Sequence, residues 1–325
     1  MVDYLCGNGN LNKEKRSELD DLLLSIKNTP ELKFTLKKAD DCPVVPNFYF
    51  HSSSLEVNGQ TINGTGESFK IDESQMKSIG ECLERWPLVD SSFSWTSLSN
   101  YSKNMKLNIE NSNGCAFHTN LDIAVLSAKR ELIERHVILR SWLQKKDVKE
   151  VHFSLVSKLQ NYFNERATNV KMKVLFFENE FDLPVFCTQI NGVDCNFYGY
   201  GADLNKEKAI QKSYFEAWRF YWEYISNKKK EYSVGEDPCL KHYYHWLNNK
   251  TESPFEITNK IHFKNIKSIR SLEYNEGSIY YCDLSQKGIN GFVAKVEDNS
   301  LASLWTGPLL ENVDNRKKGE YHPIA

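Results

Sequence analysis

The sequence predicts an α/β or α+β fold, with mixed sheets and long helices in repeated strand–turn–helix units. Three observations carry this. Apolar residues recur at helical spacing in several long stretches, short alternating runs fall between them, and glycine turns precede three of the helices. The 325-residue chain shows no clear linker and reads as a single domain, 1–325. Its motif-bearing part covers about 60–225, with 1–59 and 226–325 as flanking parts of the same fold.

The elements follow in order. Leu11, Leu19, Leu22, Leu23 and Ile26 mark an amphipathic helix over 11–27 that Thr29-Pro30 ends. Phe48–Val57 reads as a strand, and Asn58-Gly59 after it is a hairpin signal. Asn63-Gly64-Thr65-Gly66 reads as a second turn. Asp72 and Gln75 form a capping-box pattern for a helix with Met76, Ile79, Cys82 and Leu83 on its apolar face, and Pro87 should stop it. A polar loop over 90–104, a strand near 105–109 and a turn at Asn111–Gly114 come next. Thr119 and Asp122 then suggest a capping box opening a long helix to about Lys145. A helix is expected over Asp147–Arg166, strands over Val170–Phe177 and Leu183–Ile190, and a hairpin through Asn191-Gly192 into Cys195–Tyr200. Gly199 and Gly201 lead into a helix from about Asn205 to Ile225. Mixed pieces at 238–249, 278–284 and 291–296 complete the chain.

Composition excludes several classes. The chain is 40% hydrophobic, 13% aromatic and 26% charged, as a packed protein is. A net charge of −2 offers no electrostatic footprint for nucleic acid, and the run Lys228-Lys229-Lys230 reads as solvated surface. The eight cysteines contain no Cys-x-x-Cys pair, so neither a zinc site nor a disulfide framework is suggested. The polar start and the absence of a long apolar run predict a cytoplasmic chain with no membrane partner.

The chemistry is carried by a repeated Glu-x-x-Glu-Arg, at Glu81–Arg85 and Glu131–Arg135, 50 residues apart. Both follow a glycine turn and a capped helix start, which suggests an internal repeat. Gly199-Tyr200-Gly201 followed by Glu216–Arg219 is a weaker third echo. On a helix, residues three apart share a face, so Glu81 projects with Glu84 and Glu131 with Glu134. Paired carboxylates among apolar neighbours favour Mg²⁺, which takes one or two carboxylates and completes its shell with water and phosphate. Four carboxylates suit two ions bridging a triphosphate, and the adjoining arginines suit phosphate. A surface helix would also accommodate such a pattern, so spacing alone leaves both readings open. His242 and His245, three apart, form only a weak metal pair. His118 reads as a capping or packing residue, with contact to phosphate or substrate as the alternative, Cys82 and Cys115 as small buried residues, and Tyr214, Phe215, Trp218, Tyr221 and Trp222 as core or interface.

Taken together, Ser112–Ala116 with Glu131–Arg135, Glu81–Arg85, and Gly199–Arg219 resemble the three motifs of the YcaO family. The resemblance covers about 60–220 and implies a YcaO-like fold around an ATP cleft. Ala116-Phe117-His118 leans towards the cyclodehydratase subunits of microcin-type thiazole/oxazole synthetases. It implies ATP and Mg²⁺ as cofactors. In the implied reaction a Cys, Ser or Thr side chain of a precursor peptide attacks the preceding backbone carbonyl, ATP phosphorylates the oxyanion, and phosphate leaves to give an azoline. Position by position it implies Glu81, Glu84, Glu131 and Glu134 as metal ligands, and Arg135, Lys212, Glu216, Ser112 and Asn113 as nucleotide contacts. It assigns no catalytic residue. Lys212 stands where the family usually has arginine, Thr119 and Ile123 replace other frequent residues, with Asp122 beside Ile123, and one proline remains in the tail 321–325. The implied partners are the precursor peptide, a separate leader-binding protein and a flavin-dependent dehydrogenase, in a homo- or hetero-oligomer. Thioamide- or amidine-forming activity, and a degenerate scaffold that binds nucleotide or partner without turnover, are the alternatives.

Overall fold

The computed structural model describes residues 13–38, 48–98, 112–145, 148–152, 170–191, 196–226, 253–274 and 277–301. The expected strand near 105–109, the piece at 238–249, the basic run at 228–230, His242, His245 and the tail 321–325 lie outside these. The chain separates into two compact units, one of Met1–Leu132 with Asn275–Ser300 and one of Ile133–Tyr274 with Leu301–Ala325.

The first unit opens with α1 (Lys13–Lys27) and a three-stranded antiparallel sheet, β1 (Lys33–Lys38), β2 (Tyr49–Val57) and β3 (Gln60–Ser68), in that spatial order. Asn58 and Gly59 both take positive φ, 51° and 78°, as a two-residue hairpin turn requires. Helix α2 (Ile71–Val89) packs on β3. A second sheet orders β4 (Thr96–Ser97), β11 (Ser278–Asp283), β12 (Phe292–Glu297) and β5 (Cys115–His118). Leu19, Leu22, Leu55, Ile62, Ile79, Leu83, Trp86 and Val293 form one core that joins α1, α2 and both sheets.

Three expectations are corrected here. Asn63–Gly66 is not a turn but the middle of β3, where Asn63 pairs with Ser54 of β2 and Gly66 with His51. The glycines serve close packing instead: a Cβ on Gly64 would lie 2.3 Å from the Ser78 carbonyl oxygen, and one on Gly66 would lie 2.1 Å from that of Ser74. Asp72 does not cap α2. The N-cap is Lys70, without a side-chain cap, and Asp72 and Glu73 fall in the first turn, where the helix dipole favours them. Pro87 lies inside the helix, which continues to Val89. A proline so near the end removes one hydrogen bond, and the buried Trp86 and Pro87 hold the last turn, closed by the Asp90 N–H on the Trp86 carbonyl at 3.1 Å.

Helix α3 (Leu121–Gln144) follows β5, and the division between the units falls within it. Its cap is Asn120, whose Oδ1 accepts from the Ile123 N–H at 3.1 Å, rather than Thr119. His118 Nδ1 accepts from the Asn120 N–H at 2.9 Å, the capping role expected of it.

The second unit holds a five-stranded sheet in the order β10 (Asn259–His262), β6 (Val148–His152), β7 (Lys171–Phe177), β8 (Val185–Asn191) and β9 (Asn196–Ala202). The pair β10–β6 is parallel and the others antiparallel. Of the helix expected over Asp147–Arg166, residues 148–152 form a strand instead, and the rest lies outside the described residues. Val148 and Val151 fit either period, and pairing with two neighbouring strands decides it. Helix α4 (Lys206–Ser226) packs on β8 and β9, burying Tyr214, Phe215, Trp218, Tyr221 and Trp222 as expected. No helix among the described residues is long and apolar enough to cross a membrane.

The internal repeat is real but differs from the one expected. β2–β3–α2 and β8–β9–α4 are the same motif, every residue number rising by 135, from Glu81 to Glu216. Ser53 pairs with Gly64 and Thr188 with Gly199 in the same hairpin register. A Cβ on Gly199 would lie 2.1 Å from Ala217 N, and one on Gly201 would lie 2.3 Å from the Ala209 carbonyl oxygen, repeating the contacts of Gly64 and Gly66 on α2. The third echo, not the second Glu-x-x-Glu-Arg, is the copy of the first.

Gly66→Ala should cost about 3 kcal/mol, because backbone rather than a movable side chain meets the new methyl group. Urea unfolding checks this, and a loss below a few tenths would contradict the packing. Burial, with Lys38 nearby, lowers the pKa of His51 from its ordinary 6.5. A depressed histidine contributes stability that is present above the unfolded value and lost as pH falls through the folded one. Melting temperature should therefore fall below about pH 6.5 more steeply in the native chain than in His51→Gln.

Candidate functional site

In the first unit the carboxylates are placed by the glycine packing. With α2 laid directly on β3, the Thr65 N–H donates to Glu81 Oε2 at 2.5 Å, and the Thr65 hydroxyl donates to the same oxygen at 2.8 Å. Arg85 reaches back one turn to Glu81 Oε1 at 2.5 Å and to the Asn63 carbonyl at 2.7 Å. Glu84 lies one turn from Glu81 on the same helix. Burial raises its pKa well above the carboxylate range, and Glu131 and Glu81 raise it further. Arg85 and the Phe117 N–H act the other way. So Glu81, Glu84 and Glu131 are electrostatic neighbours, as the motif spacing suggested for the first two. Among the described residues no three His, Cys, Asp or Glu side chains converge to ligand distance.

The Asn113-Gly114 turn is held by β12. The Lys295 ammonium, 2% exposed, donates to the Asn113 carbonyl at 2.8 Å, and the Val296 N–H donates to that of Gly114 at 2.8 Å. Gly114 has φ 69°, and a Cβ there would lie 2.5 Å from the Val296 carbonyl oxygen. Ser112 closes the turn by accepting from the Cys115 N–H at 3.0 Å. Cys115 faces Lys295 across the strand pair, and burial pushes its thiol well above the usual range, so it is no nucleophile. Cys82 is likewise pushed up, to about 11, by burial.

In the second unit Glu216 repeats the position of Glu81, and the Tyr200 N–H donates to its Oε2. Burial raises its pKa, while Arg219, Arg135 and the Tyr200 N–H pull it down and Glu134 raises it. Arg135, Glu134 and Glu216 are thus brought together, with Arg219 added. Lys212 is placed differently. Its ammonium donates to the Ala202 carbonyl at 3.1 Å and pairs with Asp203 at 3.2 Å.

An acidic group of this kind suits a hard cation, and guanidinium beside carboxylate suits phosphate. A family profile for YcaO cyclodehydratases, ATP- and Mg²⁺-binding, matches residues 87–296. The chain belongs to the YcaO family. The matched stretch begins just after Glu81 and Glu84. No curated protein matches by sequence. The fold is similar to that of YcaO from Methanopyrus kandleri bound with AMPPCP and Mg²⁺, at 12% identity over 94% of each chain with TM-score 0.63. It is also similar to a heterocyclase in complex with substrate and cofactor, at 14% identity over 90% of this chain and 52% of that one, TM-score 0.66. A third likeness is to the E. coli microcin synthetase McbBCD complex, at 13% identity over 81% of this chain and 87% of that one, TM-score 0.60. The mixed α/β architecture is that of the YcaO fold, and the family's cofactors are ATP and Mg²⁺.

The residues fit those cofactors. Mutual repulsion among Glu84, Glu131 and Glu81 is the feature a divalent cation relieves. The sequence reading missed Thr65, Lys295 and Arg219. Thr65 had a signal, because Gly-x-Gly, ten residues, then Lys-Ser-x-x-Glu occurs at Gly64–Glu81 and again at Gly199–Glu216, and Arg219 closes the third echo three residues further on. Lys295 had none, being far along the chain from the turn it holds.

Millimolar Mg²⁺ should raise the melting temperature of the native chain, by the equivalent of about 2.7 kcal/mol at a hundredfold excess over its dissociation constant. Glu84→Gln should be more stable than the native chain without metal, and should lose most of the Mg²⁺ response. A thermal-shift titration with K⁺ as control measures both.

Proposed function

We propose that this chain is the ATP-dependent cyclodehydratase subunit of a complex that forms azolines from Cys, Ser or Thr in a ribosomally made precursor peptide. The observation that carries the reading is the electrostatic grouping of Glu81, Glu84 and Glu131 in a member of the YcaO family. Membership supports an enzyme of cyclodehydratase type. The likeness to the microcin synthetase complex supports a peptide substrate and protein partners.

In this reading Glu81, Glu84, Glu131 and Glu134 hold Mg²⁺, as the resemblance assigns. Thr65 and Arg85 keep Glu81 oriented through the contacts already given. Arg135 and Glu216 face the nucleotide, and the Ser112-Asn113 turn, fastened by Lys295, lines its binding site. Lys212 fixes the end of β9 through Ala202 and Asp203. ATP supplies the phosphoryl group that turns the amide oxygen into a leaving group. The protein contributes position and charge, which is most of what phosphoryl transfer needs. A leader-binding partner protein delivers the peptide, a flavin-dependent dehydrogenase oxidises the rings, and the complex works in the cytoplasm.

With chain, partner and peptide combined, phosphate release should require Mg²⁺, and Glu131→Gln should lower it about 100-fold. Mass spectrometry should show the peptide losing one water per ring. Exchange of oxygen for sulfur would give the product to a thioamide-forming enzyme instead. A complete complex without ATP turnover would leave the chain a scaffold.

A further inference from the structure

The two copies of the strand–strand–helix motif can be compared residue by residue, and the comparison separates what builds the motif from what specialises it. Both copies keep the two glycines under the helix. Both keep the helix glutamate bonded to the backbone N–H between those glycines, Thr65 to Glu81 and Tyr200 to Glu216. Both keep a lysine strap: Lys77 Nζ donates to the Glu67 carbonyl at 2.7 Å, and Lys212 Nζ to the Ala202 carbonyl at 3.1 Å. Since Lys77 does the same work as Lys212, the lysine belongs to the architecture of the motif.

The copies part company one turn further on. Glu84 in the first copy is Arg219 in the second, and Arg85 is Phe220. In the first copy Arg85 hydrogen-bonds Glu81 at 2.5 Å, and Glu84 adds a second carboxylate. In the second, Arg219 stands 3.8 Å from Glu216, a charge contact longer than a hydrogen bond. Its guanidinium carbon lies 4.6 Å from the centre of the Phe220 ring, a cation–π contact. Its side chain is only 16% exposed. The surroundings follow the same division. Glu84 lies among Glu131, Glu81 and Arg85, three carboxylates to one guanidinium. Glu216 lies among Arg219, Arg135 and Glu134, two guanidiniums to two carboxylates.

We propose that Arg219 is a phosphate-binding residue: where the first copy has a carboxylate the second has a guanidinium, and this guanidinium takes the polyphosphate chain of a nucleoside triphosphate. This rests on the metal–nucleotide reading of the site. A planar guanidinium matches phosphate oxygens in a way a lysine ammonium does not.

Calorimetry with AMPPCP and Mg²⁺, using adenosine as a ligand without phosphate, tests it on the full chain. Arg219→Gln should weaken AMPPCP binding about 10- to 100-fold, with adenosine binding and melting temperature unchanged, and Arg219→Lys should restore part of the loss. A cycle with Glu216→Gln separates direct contact from compensation of that carboxylate. Direct contact predicts that adding Arg219→Gln to Glu216→Gln lowers affinity further. The proposal is overturned if Arg219→Gln binds AMPPCP normally, if it loses AMPPCP and adenosine equally, or if the second substitution adds nothing. Failure of the native chain to bind AMPPCP would instead overturn the nucleotide reading itself, and this proposal with it.

Discussion

A helix carboxylate accepting a backbone N–H from the strand beneath it is the contact on which the candidate site depends. It occurs twice, at Glu81 on Thr65 and at Glu216 on Tyr200. Such a bond needs helix and strand closer than side chains normally allow. The paired glycines provide that approach, since each would place a Cβ within 2.3 Å of helix backbone. A hydrogen bond to a charged group contributes about 1.5–3 kcal/mol net. Its larger effect here is geometric. It fixes one carboxylate on each helix, and the residues three positions on are presented from a rigid base.

The site is held in tension by its own charges. Glu84 is destabilised by burial and by two neighbouring carboxylates, while Arg85 and the Phe117 N–H relieve only part of this. The arrangement is poor for stability and good for a cation, the usual relation between strain and function. Lys295 shows the opposite case. It is a buried ammonium that donates to the Asn113 carbonyl, and it ties β12 to that turn although no motif lies there.

The elements with strong local signals were legible from sequence: α1, β2 and the turn after it, α3, the β7–β8 pair and α4. Glycine was the main source of error. At Gly64 and Gly66 it marks close approach within a strand, and the sequence alone offers the same letters for a turn. Val148–His152 failed because five residues with apolar positions three apart fit both periods, and only the partner strands decide. That Glu81 and Glu84 share one helix face was readable because helical spacing is local. Which copies correspond was not. The 50-residue spacing shares more letters, whereas the 135-residue register shares hairpin pairing, glycine contacts and the lysine strap. Those are three-dimensional properties that leave only Lys-Ser-x-x-Glu in the text.

The duplication has a consequence for how such a chain could arise. A protein carrying one copy and pairing with itself would present the same side chain twice, so a glutamate at the position of Glu84 would stand at both places, and an arginine likewise. Distinct charge at the two positions requires two separately encoded copies, each free to drift alone. Duplication would then precede specialisation, and the difference between Glu84 and Arg219 would record a symmetry broken after it.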